Sequence, residues 1–155
     1  MSTVRVSLVD VYVLQGAGAG LRCLVLRRAA GGRCPGSWET VHGHIEAGEH
    51  PAGAAARELQ EETGLLAARL YNLSRVETFY QHHIDEGALV PVFAAFVADG
   101  AAVRLGAEHD RFEWLPTADA VRRFAWPREQ RALEDIVALL HRGDAGAVDD
   151  VLRVC

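Results

Sequence analysis

The chain has no lysine; all sixteen of its basic residues are arginine. That excludes a glycine-rich phosphate loop ending in Lys-Ser/Thr, and any chemistry that runs through a lysine Schiff base. Cysteine is nearly as scarce. Cys23, Cys34 and Cys155 are an odd number with no Cys-x-x-Cys pair, so there is neither a disulfide framework nor a zinc knuckle. Cys23 lies in an apolar run and is expected as a small core residue. No apolar run reaches the length of a membrane span, and Met-Ser-Thr-Val-Arg lacks the flank and unbroken apolar stretch of a signal peptide. A reducing cytoplasm is the expected setting, with no membrane partner. The formal net charge of −5 argues against a scaffold for nucleic-acid polymers. It does not argue against a small phosphorylated ligand, because a bound cation inverts the local charge logic.

What is present reads as one domain over residues 1–155. Half of the residues are apolar and about a quarter charged, enough for a substantial core. Val4 to Leu14 reads as a strand, Gly16 to Gly20 as a turn, and Leu21 to Arg28 as a second strand completing a hairpin. Ala29 to Ser37 holds Gly31, Gly32, Pro35 and Gly36 and reads as an exposed loop. Trp38 to Ile45 is expected to be extended, with His42 and His44 on one side. Pro51 suits the first turn of a helix and Gly64 its C-terminal cap, which predicts a helix over about 50–63. Its Ala52, Ala56, Leu59 and Thr63 are expected to pack on a sheet. Arg69–Gln81 and Ala88–Ala98 read as strands and Arg111–Leu115 as a short one. Thr117 is expected to cap a short helix, and Pro127 opens a last helix with Leu133, Ile136, Val137 and Leu140 as its apolar stripe. The tail from Gly143 to Cys155 reads equally as a short docked helix or a loose end.

The acids of the 50–63 helix carry the chemistry. Glu58, Glu61 and Glu62 are spaced i, i+3, i+4, which brings them to one helical face. Like charges this close repel, so something must compensate them, and a hard divalent cation with oxygen ligands is the expected candidate. The bland alternative is a solvated acidic face. It competes with a conjunction: Gly43, Glu49, Arg57 and the Glu61-Glu62 pair at set intervals.

The run Gly43 to Leu65 fits the Nudix box, Gly-x5-Glu-x7-Arg-Glu-aliphatic-x-Glu-Glu-x-Gly-aliphatic, at every specified position. The chain therefore resembles the Nudix hydrolases, over a box of roughly a seventh of its length plus a matching order of elements. The resemblance implies an α+β fold, an α/β/α sandwich with a mixed β-sheet between helices. It implies hydrolysis of a diphosphate linkage in a nucleoside or pterin triphosphate or a related nucleoside diphosphate derivative. Mg²⁺ is the implied cofactor, with Mn²⁺ as a substitute, held by Gly43, Glu58, Glu61 and Glu62. The resemblance makes Glu62 a candidate general base; family members differ in which acid serves. Arg57 and Glu49 look like the pair that orients the loop before the helix.

Outside the box, Trp38 to Glu49, Glu108 to Leu115, and Arg27-Arg28 look like their counterparts in the dihydroneopterin triphosphate diphosphatase branch. That likeness adds Glu108 to the metal set. Arg27, Arg28, Trp38, His42 and His44 are substrate-binding candidates, and of the two adjacent arginines only one can face the site. Val41-His42-Gly43-His44 departs from the Pro-Gly-Gly lead-in of a familiar variant. His82-His83 lacks the spacing of a zinc site. A dinucleoside polyphosphate or nucleotide-sugar hydrolase and a non-catalytic nucleotide-binding module remain open, as does a homodimer.

Overall fold

Leu8 to Leu14 are buried without exception, on both faces of the strand they form. A strand buried on both sides needs a layer above and a layer below. The computed structural model, which describes residues 1–155, supplies both. Its strands are β1 (Thr3–Val6), β2 (Leu8–Gln15), β3 (Arg22–Arg28), β4 (Trp38–Glu39), β5 (Val41–His44), β6 (Arg69–Gln81), β7 (Glu86–Phe96) and β8 (His109–Pro116). Its helices are α1 (Pro51–Thr63), α2 (Thr117–Arg123), α3 (Pro127–Leu140) and α4 (Asp149–Leu152).

The eight strands form one mixed sheet. β7 pairs parallel with β1 and β2 and antiparallel with β6, while β2 also pairs antiparallel with β3 and β5. Val9, Val11 and Val13 point to one face and pack with Ala54, Ala55 and Leu59 of α1. Tyr12 and Leu14 point to the other and pack with Leu133, Ile136 and Leu140 of α3. This is the α/β/α sandwich with a mixed sheet that the family resemblance implies. The small alanines let α1 lie close to the sheet at little entropic cost. Leu59 is fully buried there, and its truncation to alanine costs about 2–5 kcal/mol. No helix is long and apolar enough to cross a membrane.

Several expectations shift in detail. The first strand divides at Ser7: Val6 pairs with Leu89 but Asp10 with Val92, so one extra residue bulges out. The displaced Ser7 carbonyl accepts the N–H of Ile45 at 2.9 Å, which helps seat β5 beside β2. Ala56 is exposed; Ala54 and Ala55 make the contact assigned to it, because the buried sector of α1 is centred nearer Glu62 than the alanine count suggested. Thr117 is the first residue of α2 and makes no capping bond. Gly64 ends α1 in the left-handed conformation (φ 70°), its N–H donating to Gln60. The tail docks: Leu152 is buried and Val154 N–H donates to Leu70 O at 2.7 Å.

Candidate active site

Gly43 and the acidic helix meet face to face. On β5, Val41 and Gly43 point toward α1, while His42 and His44 point to the opposite face, as alternation requires. A β-carbon added at Gly43 would stand 2.0 Å from Glu58 Cδ and 2.3 and 2.4 Å from its carboxylate oxygens. With the carboxylate seated here the strand has no room for a β-carbon, and any larger residue would push the end of the Glu58 side chain away.

Arg57 organises the acids around it. Its Nε and Nη2 donate to the two oxygens of Glu49 at 2.9 Å each, a bidentate fork. Nη2 also donates to His44 O at 2.8 Å, and Nη1 to Glu58 at 2.8 Å and Glu61 at 3.2 Å. Glu49 also accepts the Glu46 N–H, which closes the loop leading into α1. The Arg57 fork, aided by that N–H, pulls the Glu49 carboxyl down to about 2. No lysine could hold these partners at once, since it lacks the planar fork.

Glu62 is different. It is buried, its Oε2 has no hydrogen-bond partner, and His109 Nδ1 stands 3.8 Å away, also unpartnered. Burial, followed by the charges of Glu108, Glu58 and Glu39, pushes its carboxyl up to about 9. Burial likewise raises Glu58, against the pull of Arg57. Neighbouring charges and a dry setting thus split the acids into strongly and weakly acidic members.

The acids do not converge as the expected ligand set. No three His, Cys, Asp or Glu side chains stand at metal-ligand spacing. Glu58 and Glu61 share the Arg57 guanidinium, Glu62 faces His109, and Glu108 is exposed in a turn, 3.8 Å from Arg28 Nη1. The guanidinium compensates part of the charge of Glu58 and Glu61 and does not reach Glu62. The donors still fit a hard divalent ion. They are oxygens, they repel one another, and one buried oxygen of Glu62 lacks any partner.

Of the substrate-side residues, Arg28 reaches this face, contacting Glu39 and Glu108, whereas Arg27 turns outward to Asp110 at 2.8 Å. Trp38 does not offer a free ring. It packs against the α3-side core and Arg123 lies over it at 4.7 Å. His42 binds buried Asp10 through Nδ1 at 2.6 Å, across the sheet from Glu58, and His44 is exposed on that same far side. A pocket of about 510 Å³ lies elsewhere, between His50, Pro51, Asn72, Arg75 and Phe93. Its lining carries none of the paired acids, so chemistry rather than size identifies the site.

Other residues escaped the sequence reading. Asp10 is fully buried and also accepts from Arg128 Nε at 3.0 Å. Glu129 accepts the Thr40 N–H at 2.6 Å, leaving its other oxygen unpartnered. Glu39 and His109 pair at 2.9 Å beside Glu62. The available signal was Asp10 itself: a lone acid amid apolar residues of a buried strand needs a partner.

With this geometry in hand, comparison with known proteins gives consistent matches. The family model described as NUDIX domain matches residues 4–136. An octanoyltransferase of Myxococcus xanthus is 41% identical over 122 residues, covering 74% of this chain and only 32% of that protein. An Ap4A hydrolase of C. elegans, solved as a binary complex, superposes with a TM-score of 0.71 at 20% identity, covering 90% of this chain and 98% of that one. The E. coli dihydroneopterin triphosphate pyrophosphohydrolase superposes with a TM-score of 0.66 at 23% identity, covering 89% and 99%. Both solved structures speak to the fold.

Proposed function

The chain belongs to the Nudix family, and we propose that it is a divalent-metal-dependent hydrolase of a diphosphate linkage in a nucleoside or pterin triphosphate. The observation that carries this reading is the buried Glu62 carboxyl with one unpartnered oxygen, one helical turn from the Glu58 carboxylate that lies against Gly43. Phosphoanhydrides resist water because their oxygens are already negative. Mg²⁺ or Mn²⁺ would supply charge neutralisation and a more acidic water, held by Glu58, Glu61, Glu62, Glu108 and the Gly43 carbonyl. The rest falls to the chain. Glu62, whose buried Oε2 has no hydrogen-bond partner, is the acid placed to accept the proton of the attacking water once the cation's charge has displaced its own. The water oxygen bonds to phosphorus, the bridging P–O bond breaks, and pyrophosphate or phosphate leaves with the electron pair. Arg57 and Glu49 keep the loop and helix in register, and Arg28 meets the phosphate tail.

A screen of nucleoside triphosphates, dihydroneopterin triphosphate, dinucleoside polyphosphates and nucleotide sugars with Mg²⁺ or Mn²⁺ tests the reading. Pyrophosphate release from a triphosphate supports it. Two nucleotides released from a dinucleoside polyphosphate would instead move the substrate toward that of the C. elegans enzyme. Tight nucleotide binding without turnover in either metal would refute catalysis.

A further inference from the structure

We propose that Glu39 is a positioning residue that holds Glu108 beside the acidic helix by tying His109 and Arg28 to one carboxylate oxygen. The inference rests on the Nudix reading above and concerns a residue outside its box.

Glu39 lies in the two-residue strand β4 and is 6% exposed. Its Oε1 accepts from His109 Nε2 at 2.9 Å and from Arg28 Nη1 at 3.2 Å. One atom therefore joins three segments: β4, the end of β3 and the start of β8. A carboxylate only accepts, so Nε2 carries the hydrogen and the imidazole plane is set. That plane directs Nδ1 toward Glu62 Oε2, 3.8 Å away.

The join is needed where it falls. The ladder between β3 and β8 runs in register from Arg22–Pro116 to Arg27–Arg111 and then slips at Arg28. Glu108 sits just past the slip, in a turn, with no strand partner of its own. Its backbone is held by the Ala29 N–H at 2.9 Å, and its neighbour His109 is held by Glu39. Arg28, anchored on Glu39 and on Arg33 O, then stands 3.8 Å from the Glu108 carboxylate. A buried acid near Glu62 works against packing, since like charges meet in a dry setting. Its two donors give a reason for an acid at this position. Partners of this kind behind a ligand set its orientation, and their loss weakens metal binding by about 10–100-fold.

The full chain is compared as wild type, Glu39→Ala and Glu39→Gln. Hydrogen exchange without metal reads the hold directly. In Glu39→Ala, amides of 106–111 and Ala29 exchange about tenfold faster or more, while those of α3 are unchanged. Calorimetric titration with Mn²⁺ then shows affinity weakened by about 10–100-fold. The Gln amide oxygen can accept both hydrogens, so Glu39→Gln stays within about threefold of wild type in both measurements. In turnover, kcat falls in Glu39→Ala with little change in KM. If Glu39→Ala does not fold, His109→Leu removes the same bond from the other end and carries the same expectations. Mn²⁺ affinity of Glu39→Ala within threefold of wild type overturns the proposal, as does uniform acceleration of exchange or a Gln variant as impaired as Ala. Wild type that binds no Mn²⁺ removes the metal-dependent hydrolase reading and this inference with it; tight wild-type binding with an unaffected Ala variant sinks the positioning role alone.

Discussion

Adding one methyl group at Gly43 perturbs the acidic site with the least chemistry. Gly43 has no positive φ, so alanine is allowed by the backbone and the effect is steric. To restore contact at 3.4 Å from 2.0 Å, the Glu58 carboxyl carbon must retreat by roughly 1.4 Å. That motion strains its 2.8 Å bond to Arg57, which also holds Glu49 and Glu61. A displacement of about 1 Å in reacting geometry can cost about 100-fold. Gly43→Ala is therefore expected to lower kcat/KM by about 100-fold or more, a loss of about 2.7 kcal/mol in transition-state stabilisation. Overpacking costs about 1–3 kcal/mol, which lowers Tm by about 2–12 °C in a chain of this size. Steady-state release of phosphate after coupled pyrophosphatase treatment gives the first number, and thermal unfolding gives the second. Activity within threefold of wild type, with Tm unchanged, would refute the crowding of Glu58 against the strand as a feature of the working site.

Three further outcomes follow from the same geometry. Glu62→Gln is expected to lower turnover by about 10²–10⁴ with circular dichroism unchanged, and EDTA to abolish wild-type activity; turnover surviving both would count against the reaction proposed. Glu62 has a folded pKa of about 9 against an ordinary 4.5, so the folded metal-free protein keeps a proton that the unfolded chain releases. Stability from this group is present in full below about 4.5 and is lost as pH rises toward 9, so the Tm of metal-free protein should fall across that window, less steeply in Glu62→Gln, as differential scanning calorimetry at several pH values would show. Arg128→Met removes one partner of fully buried Asp10 and should cost about 3–5 kcal/mol in urea unfolding; a cost under about 1 kcal/mol would mean that His42 alone satisfies Asp10.

Local signals proved legible where chemistry and chain geometry are both local. Pro51 and Gly64 bracket α1 because one lacks an N–H the first turn does not need and the other accepts a left-handed φ. The alternation that puts His42 and His44 together, and Arg27 and Arg28 apart, holds in the sheet for the same reason. The pairing of Asp10 with Arg128 lies beyond such reasoning, because it needs the placement of α3 on β2 across 118 positions of chain. Trp38 reads from the sequence either as a stacking ring or as a packed core side chain, and its contact with the α3-side core and Arg123 over its ring match the second. The burial of Glu58 and Glu62 was hidden by their charge: acids are assigned to solvent unless a partner or a ligand is known to await them. Arg57 was visible as a partner of Glu49, but not as the shared partner of Glu58 and Glu61.

β5 is four residues long, and each side of it answers to a different neighbour: Gly43 to Glu58, His42 to Asp10. Deleting a single codon between Thr40 and His44 would invert both relations at once, thrusting an imidazole toward the acids and stranding Asp10. In the surface loop a few positions upstream, Ala29 and Arg33 hold Glu108 and Arg28, but exposed Gly31 carries no such double obligation, and insertions beside it should be absorbed. Variation in length among natural or laboratory descendants of this chain is therefore expected to pile up before Trp38 and to stop abruptly there.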